Sequence, residues 1–499
     1  MNWAPHFLSF ATGFLSLSQE ILWIRLFGFA NESMPQAFSF VLAAYLLGIA
    51  LGARIGKEAS TGARNLWVVS GLVLMASAVF DLASPWLYGA VAHTAEDWQK
   101  ACGGVLVMST AALKAVVFPI AHHLGSDQAG DRVGRSMSRV YVFNIAGSAL
   151  GPIVTGFVLL DMLTTQQCFA VAAALTFCVG ALCLLGHWPA RRIAALGAAG
   201  IFLCGLAWVN PGSLMQLVAT DAGSIKRIVE TRHGIVTVYE GGNSGDAVYG
   251  GNVYDGRTNL DPVVNSNHID RLLVLPALQE QPRRVLMIGL SIGSWLKLAT
   301  SFPGVEQIDV IEINPGYLRA MEGYPRQLSA LSDARVHLHI DDGRRWLKGQ
   351  RGAMYDLVVA NTTWHWRAYG SNLLSREFLS EVQAHMAPGA ILAYNSTGSP
   401  DVLRTAVAVF GNAYRYEGFI LAGDHDFRPR LRTQRAFDRL KSLKLDGAPL
   451  FPAGRDAVIQ GFLDRPFIDV AQEQAQYPRP LNIITDDNML TEYHSERRF

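Results

Sequence analysis

Seven stretches, at about 7–29, 37–56, 66–90, 102–122, 140–160, 166–187 and 193–209, are almost unbroken in apolar residues. A helix needs about 20 such residues to cross a bilayer. The first 210 positions are therefore expected to form a bundle of membrane spans. The charges agree. Of 83 Asp, Glu, Lys and Arg residues, 20 fall in 1–210 and 63 in 211–499. A soluble domain carries roughly one charge per four residues, and only the second half approaches that density. The first stretch lacks the basic leader and small-residue cleavage site of a signal peptide. A net charge of +1 excludes a strongly basic nucleic-acid binder. All five cysteines lie in the apolar half with no CxxC spacing and no accompanying His cluster. Neither a disulfide framework nor a metal site is expected.

Within the spans, Gly48-Ile49-Ala50-Leu51-Gly52 and Gly147-Ser148-Ala149-Leu150-Gly151 are the small-residue pattern that lets helices approach closely. Glu20, Arg25 and Lys114 fall at lipid depth, where ionisable groups face the bundle interior and pair. Glu20 or Arg25 would pair with Lys114 or reach an interface. The basic loops alternate: Arg54, Lys57 and Arg64; then Arg132, Arg135 and Arg139; then Arg191 and Arg192. These belong on the cytoplasmic side, and 91–101, with Glu96 and Asp97, outside. Seven spans would carry the globular half outward. Six, with 193–209 lying in the interface, would keep it in the cytoplasm.

The remainder divides into a small β module, 215–275, and an α/β domain, 276–499. Ile235-Val236-Thr237-Val238-Tyr239 is a β-branched run, followed by turns at Gly250-Gly251 and Asp255-Gly256. Arg283-Arg284-Val285-Leu286-Met287-Ile288-Gly289 reads as a buried parallel strand, and Gly289-Leu290-Ser291-Ile292-Gly293-Ser294 as the loop into a helix. Such a loop brings backbone N–H groups to a ligand. GxSxG is also the pattern of a hydrolase nucleophile elbow, but no Asp and then His follow in the expected strand-end setting. A second strand ends in Glu312, the place for a carboxylate on ribose hydroxyls. A third ends in Asp341-Asp342-Gly343 and a fourth in Asn361. Four strand ends thus turn polar groups to one cleft of a doubly wound sheet, as in S-adenosylmethionine-dependent transferases.

At these residues the chain resembles the spermidine synthase (aminopropyltransferase) family, in the form fused to an N-terminal transporter-like membrane domain. The resemblance is carried by Val285-Leu286-Met287-Ile288-Gly289, Val310-Ile311-Glu312-Ile313-Asn314-Pro315, Asp342-Gly343-Arg344-Arg345-Trp346-Leu347 and Tyr355-Asp356-Leu357-Val358-Val359. Tyr254-Asp255-Gly256 resembles that family's strand-and-DG element. Glu20-Ile21-Leu22-Trp23-Ile24-Arg25-Leu26, Tyr141-Val142-Phe143-Asn144-Ile145-Ala146-Gly147 and Thr485-Asp486-Asp487-Asn488 with Glu492 are similar to parts of such fusions. The resemblance implies that decarboxylated S-adenosylmethionine gives an aminopropyl group to an amine, without a metal. It implies that Glu312 holds the ribose, Asp342 and Gly343 the adenine side, and that Gly289 and Gly293 let the backbone approach.

Departures from that pattern concern the amine. Leu290, Ser291 and Ile292 stand where the family has further glycines and an acid. Asn361 replaces the catalytic Asp and Trp364 the next acid. Asn cannot serve as a base near neutral pH. The loop Asn361-Thr362-Thr363-Trp364-His365-Trp366-Arg367 supplies His365 as a base and two Trp to stack on a cation. Asp486, Asp487 and Glu492 would restore negative charge if the C-terminus folds back. The expected catalytic residues are Asn361, His365 and Asp486. Methyl transfer from S-adenosylmethionine, and a polyamine or nucleoside transporter or sensor without turnover, are the alternatives. The expected partners are the bilayer, a small-molecule amine or other acceptor, and a second copy of the chain. The expected location is a bacterial inner membrane with the globular half in the cytoplasm, where the donor is made.

Overall fold

The computed structural model describes residues 3–62, 65–126, 133–220, 222–362 and 364–493. Arg64, Arg132 and Thr363 lie outside the described residues. Two compact units emerge: Met1–Asp221, which also takes in Glu230–Arg232, and the rest from Ala222 onward.

The first unit consists of helices α1 (Ala4–Ala30), α2 (Pro35–Ser60), α3 (Leu66–Val91), α4 (Glu96–Ala115), α5 (Val117–Ser126), α6 (Val133–Val154), α7 (Thr165–Leu184) and α8 (Ala190–Gly205). Prolines set two of the irregularities. Pro119 has no N–H for the carbonyl of Ala115, and α4 gives way to α5 at that point. Pro152 sits inside α6, which runs on into a π-helical turn, Thr155–Leu159. A capping box of Thr164 and Gln167 starts α7. Among the described residues, seven helical segments are long and apolar enough to cross a membrane, with α4 and α5 counted as one. Leu46, Leu47, Leu51 and Ile55 of α2 leave half or more of their surface uncovered by protein.

Glycine brings these helices together. A Cβ at Gly48, Gly52 or Gly56 would overlap the carbonyl oxygen of Met108, Ala112 or Val116, respectively. Gly147 and Gly151 meet the carbonyls of Phe10 and Phe14 in the same way. The small-residue strings are thus helix-packing seams. Lys114 does not pair with Glu20 or Arg25. Its Nζ lies 2.5 Å from Oδ2 of Asp81 on α3, and both side chains are fully buried. Ser77 Oγ donates to the same carboxylate oxygen at 3.4 Å. Arg25 Nε donates to Thr165 Oγ1 at 2.8 Å.

The second unit begins with a four-stranded sheet in the order β1 (Ile225–Thr231), β2 (Gly234–Tyr239), β3 (Ala247–Gly250), β4 (Val253–Arg257). A seven-stranded sheet follows: β5 (Arg284–Ile288), β6 (Gln307–Glu312), β7 (Val336–Ile340), β8 (Tyr355–Ala360), β9 (Met386–Asn395), β10 (Asn412–Tyr416) and β11 (Phe419–Gly423). Its order is β10-β11-β9-β8-β5-β6-β7. Strands β5 to β9 pair in parallel, and β11 is antiparallel to both its neighbours. This is a doubly wound sheet, as expected, preceded by a small β module. Alternate residues bury on opposite faces, which is why the central strands read as continuous apolar runs. Val285, Met287, Leu357 and Val359 pack into one core, and Leu286, Ile288, Val358 and Ala360 into the other.

Candidate active site

Strand order alone fixes where a ligand can sit. The chain reverses direction between β5 and β8, and the crevice beyond their carboxyl ends is the binding position of an open α/β sheet. A cavity of about 530 Å³ lies within the second unit, and Asn361 and Thr362 after β8 and Asn395 to Ser399 from the end of β9 line it. The β module supplies Tyr254, Asp255 and Gly256, and Trp364 and Trp295 add aromatic walls.

The glycine loop is shaped by protein contacts. Gly289 has φ +93° and Gly293 φ +78°, a region that disfavours side chains. A Cβ on Gly289 would stand 2.5 Å from the carbonyl oxygen of Asn361, and one on Gly293 2.5 Å from Met321 Cε. Ser291, also at positive φ, donates its Oγ to the Asp255 carbonyl at 3.3 Å. Ile292 belongs to the core.

Glu312 is buried at the end of β6. One carboxylate oxygen accepts the Leu290 N–H and the other the Asn314 N–H, each at 2.8 Å. It thereby ties the glycine loop to its own strand, and the Ser291 N–H adds a third backbone donor. Burial pushes its pKa up to about 7, against the pull of those amides. A carboxyl raised in the folded state contributes stability that is complete below its unfolded pKa of about 4.3 and is lost as pH rises through 7. The expected loss is on the order of 3 kcal/mol. Thermal unfolding of the detergent-solubilised chain should show it between pH 4.5 and 8, and Glu312→Gln should flatten that slope. An equal slope in both proteins would exclude Glu312 as its origin.

The other expected site residues have structural duties. Asp342 caps the helix Gly343–Gly349, accepting the Arg345 N–H at 2.8 Å. Buried Gly343 packs against Ile288, where a Cβ would meet Cγ2 at 2.7 Å. Asn361 does line the cavity, and Asn395 Nδ2 donates to its Oδ1 at 3.4 Å. His365 does not line it: it is buried, with Nδ1 2.8 Å from the Thr397 carbonyl oxygen. Trp366 is buried as well, so of the loop's two Trp Trp364 alone faces the cavity. The C-terminal segment does fold back, but Asp486 and Glu492 are already engaged, and Asp487 is exposed and does not line the cavity. Asp486 accepts two bonds from Arg344, at 2.7 and 2.5 Å, and one from Ser375 at 2.7 Å. The Arg344 guanidinium holds its pKa below the usual carboxylate range. Glu492 accepts the backbone N–H and the Oγ of Ser371. Neither acid lines the cavity.

Of the acids that do, Glu417 and Glu473 are paired with arginines, and Asp255, half-buried on β4, has no ion pair among the described residues. Burial raises its pKa, and hydrogen bonds from Tyr317 and Ser291 and the charge of Arg367 oppose this. Its motif was visible in the sequence; its position beside Asn361 required the module to fold onto the sheet. The cavity therefore offers one carboxylate that no arginine pairs with among the described residues, amide groups and aromatic walls to a cationic or hydroxylated ligand.

Residues 271–406 match the spermine/spermidine synthase domain. A polyamine aminopropyltransferase of Mycobacterium tuberculosis (strain ATCC 25618 / H37Rv) is 24% identical over 500 residues, covering 95% of this chain and 92% of that protein. One from Prochlorococcus marinus (strain MIT 9215) is 26% identical over 160 residues, 30% of this chain and 56% of the relative. A spermidine synthase solved with the transition-state analogue AdoDATO superposes with a TM-score of 0.40 at 16% identity, over 49% of this chain and 86% of its own.

Proposed function

We propose, for a chain that carries a spermidine synthase-like domain behind an apolar helical unit, that it is a membrane-anchored aminopropyltransferase. The observation that carries this reading is that the matched segment, 271–406, contains the parallel strands β5 to β9, and that the ends of β8 and β9, together with Asp255, wall the cavity, whereas Gly289, Gly293, Glu312 and Asp342 lie outside its lining. The donor is decarboxylated S-adenosylmethionine, with its ribose on Glu312 and its adenine toward Asp342. The acceptor amine enters between Asp255 and Trp364. Its nitrogen lone pair attacks the methylene carbon bonded to the sulfonium. A C–N bond forms, the C–S bond breaks with its electron pair passing to sulfur, and neutral methylthioadenosine leaves. Asp255 takes the proton from the incoming ammonium, the part that Asn361 cannot play. Asn361 orients the amine by accepting a hydrogen bond from it.

The helical unit lies in the bilayer, and the globular unit faces the cytoplasm, where the donor is made. A reporter fused at the C-terminus and active on one side only tests that placement. The reaction is tested with the purified full chain in detergent, each donor, a panel of amines and mass detection. Methylthioadenosine and an aminopropylated amine are expected. A methylated product from S-adenosylmethionine, or binding without any turnover, would overturn this reading in favour of a methyltransferase or a sensor.

A further inference from the structure

The same cavity holds more charge than the reaction uses, and one of its cations has no carboxylate within ion-pair distance among the described residues. Its ionisable walls are Asp255, His268, Arg271, Arg415, Glu417 and Glu473. Arg415 and buried Glu473 form an ion pair at 2.8 Å. Glu417 pairs with Arg465 at 3.3 Å. Arg271, on the short helix Asp270–Leu273, has no carboxylate within 4.0 Å among the described residues and donates no side-chain hydrogen bond there. Its Nε is buried without an acceptor. The guanidinium lies on Gly418, where a Cβ would stand 2.9 Å from Cζ, and its Cζ is 5.7 Å from the centroid of the Phe419 ring. Burial lowers its pKa in spite of the charge of Glu417. A guanidinium does not give up its proton in a protein, so it remains a cation in need of an anion.

A simple diamine suits this cavity poorly. It would bring two ammonium groups to one carboxylate without an ion pair, Asp255, and expose one of them to Arg271. Like charges at such range are strongly unfavourable. A planar guanidinium fork matches a carboxylate in two-pronged fashion. Resting on the reading above, we infer that the acceptor is an amino acid: an amine that also carries a carboxylate, which Arg271 binds while the reacting nitrogen meets Asp255. The decarboxylated donor has no carboxylate of its own, so the acceptor must bring it. Gly418 is part of this site, because any side chain there would displace the guanidinium.

The test compares 1,4-diaminobutane with 2,5-diaminopentanoate, which differ only by the carboxylate. Both are titrated calorimetrically into the full chain in detergent, saturated with methylthioadenosine, and both are assayed as acceptors with decarboxylated S-adenosylmethionine. The carboxylated amine should bind at least about tenfold more tightly, and Arg271→Gln should weaken it about 10- to 100-fold while sparing the diamine. Tighter binding of diaminobutane to the unaltered chain overturns the inference without recourse to any variant. So does an equal loss for both amines in Arg271→Gln. If Arg271→Gln instead weakens S-adenosylmethionine selectively against its decarboxylated form, the carboxylate is the donor's and the acceptor assignment falls. A preserved contrast between the amines with no methylthioadenosine released would refute the transferase reading and leave the amino-acid site standing.

Discussion

Asp255→Asn should reduce aminopropyl transfer by about 10²- to 10⁴-fold in kcat, the range for loss of a positioned general base. Methylthioadenosine should still bind as before, since the substitution is nearly isosteric and Asp255 faces the acceptor. The pH profile separates a base from a mere contact. Asp255 must be ionised to take a proton, so kcat rises with pH as its carboxyl titrates. Burial places that limb above the ordinary carboxylate range. The variant should lose the limb altogether. Activity within tenfold of the unaltered chain, or an unchanged acid limb, would remove Asp255 from the chemistry and return attention to Asn361.

The second large effect belongs to the helical unit. Asp81→Asn or Lys114→Met alone should destabilise the chain by about 3–5 kcal/mol, because each leaves an uncompensated charge where neither water nor a partner can reach it. The double replacement Asp81→Leu with Lys114→Met should recover most of the loss, since well-packed apolar groups often replace a buried pair without cost. Thermal unfolding in detergent reads all three. Single variants as stable as the parent would show that the pair is not desolvated as the 2.5 Å contact and full burial imply.

Much of the architecture is legible in the sequence because burial leaves a direct mark on composition. Helices surrounded by lipid and strands covered on both faces are apolar over their whole length, so the spans and the strands Val285–Ile288 and Leu357–Ala360 stand out unaided. Side-chain direction leaves no such mark. His365 and Trp366 follow a strand end that does point at the cavity, yet they turn into the protein. Asp486 is an acid in the expected vicinity, but Arg344 has already claimed it. Asp81 is hidden within an apolar run, and its partner is 33 residues away on another helix. Asp255 and Arg271 lie 16 residues apart and Glu417 far along the chain, and only the fold brings all three to one cavity.

The glycine seam between α2 and α4 has one more implication. Its repeat is four residues on both helices, Gly48, Gly52 and Gly56 against Met108, Ala112 and Val116. Two combs with equal tooth spacing fit as well after sliding by one tooth, about 6 Å along the helix axis at 1.5 Å per residue. The repeat alone therefore does not select one position of α4 along α2. Lys114 lies on α4 and Asp81 on a third helix, so their ion pair is the pawl that selects one tooth.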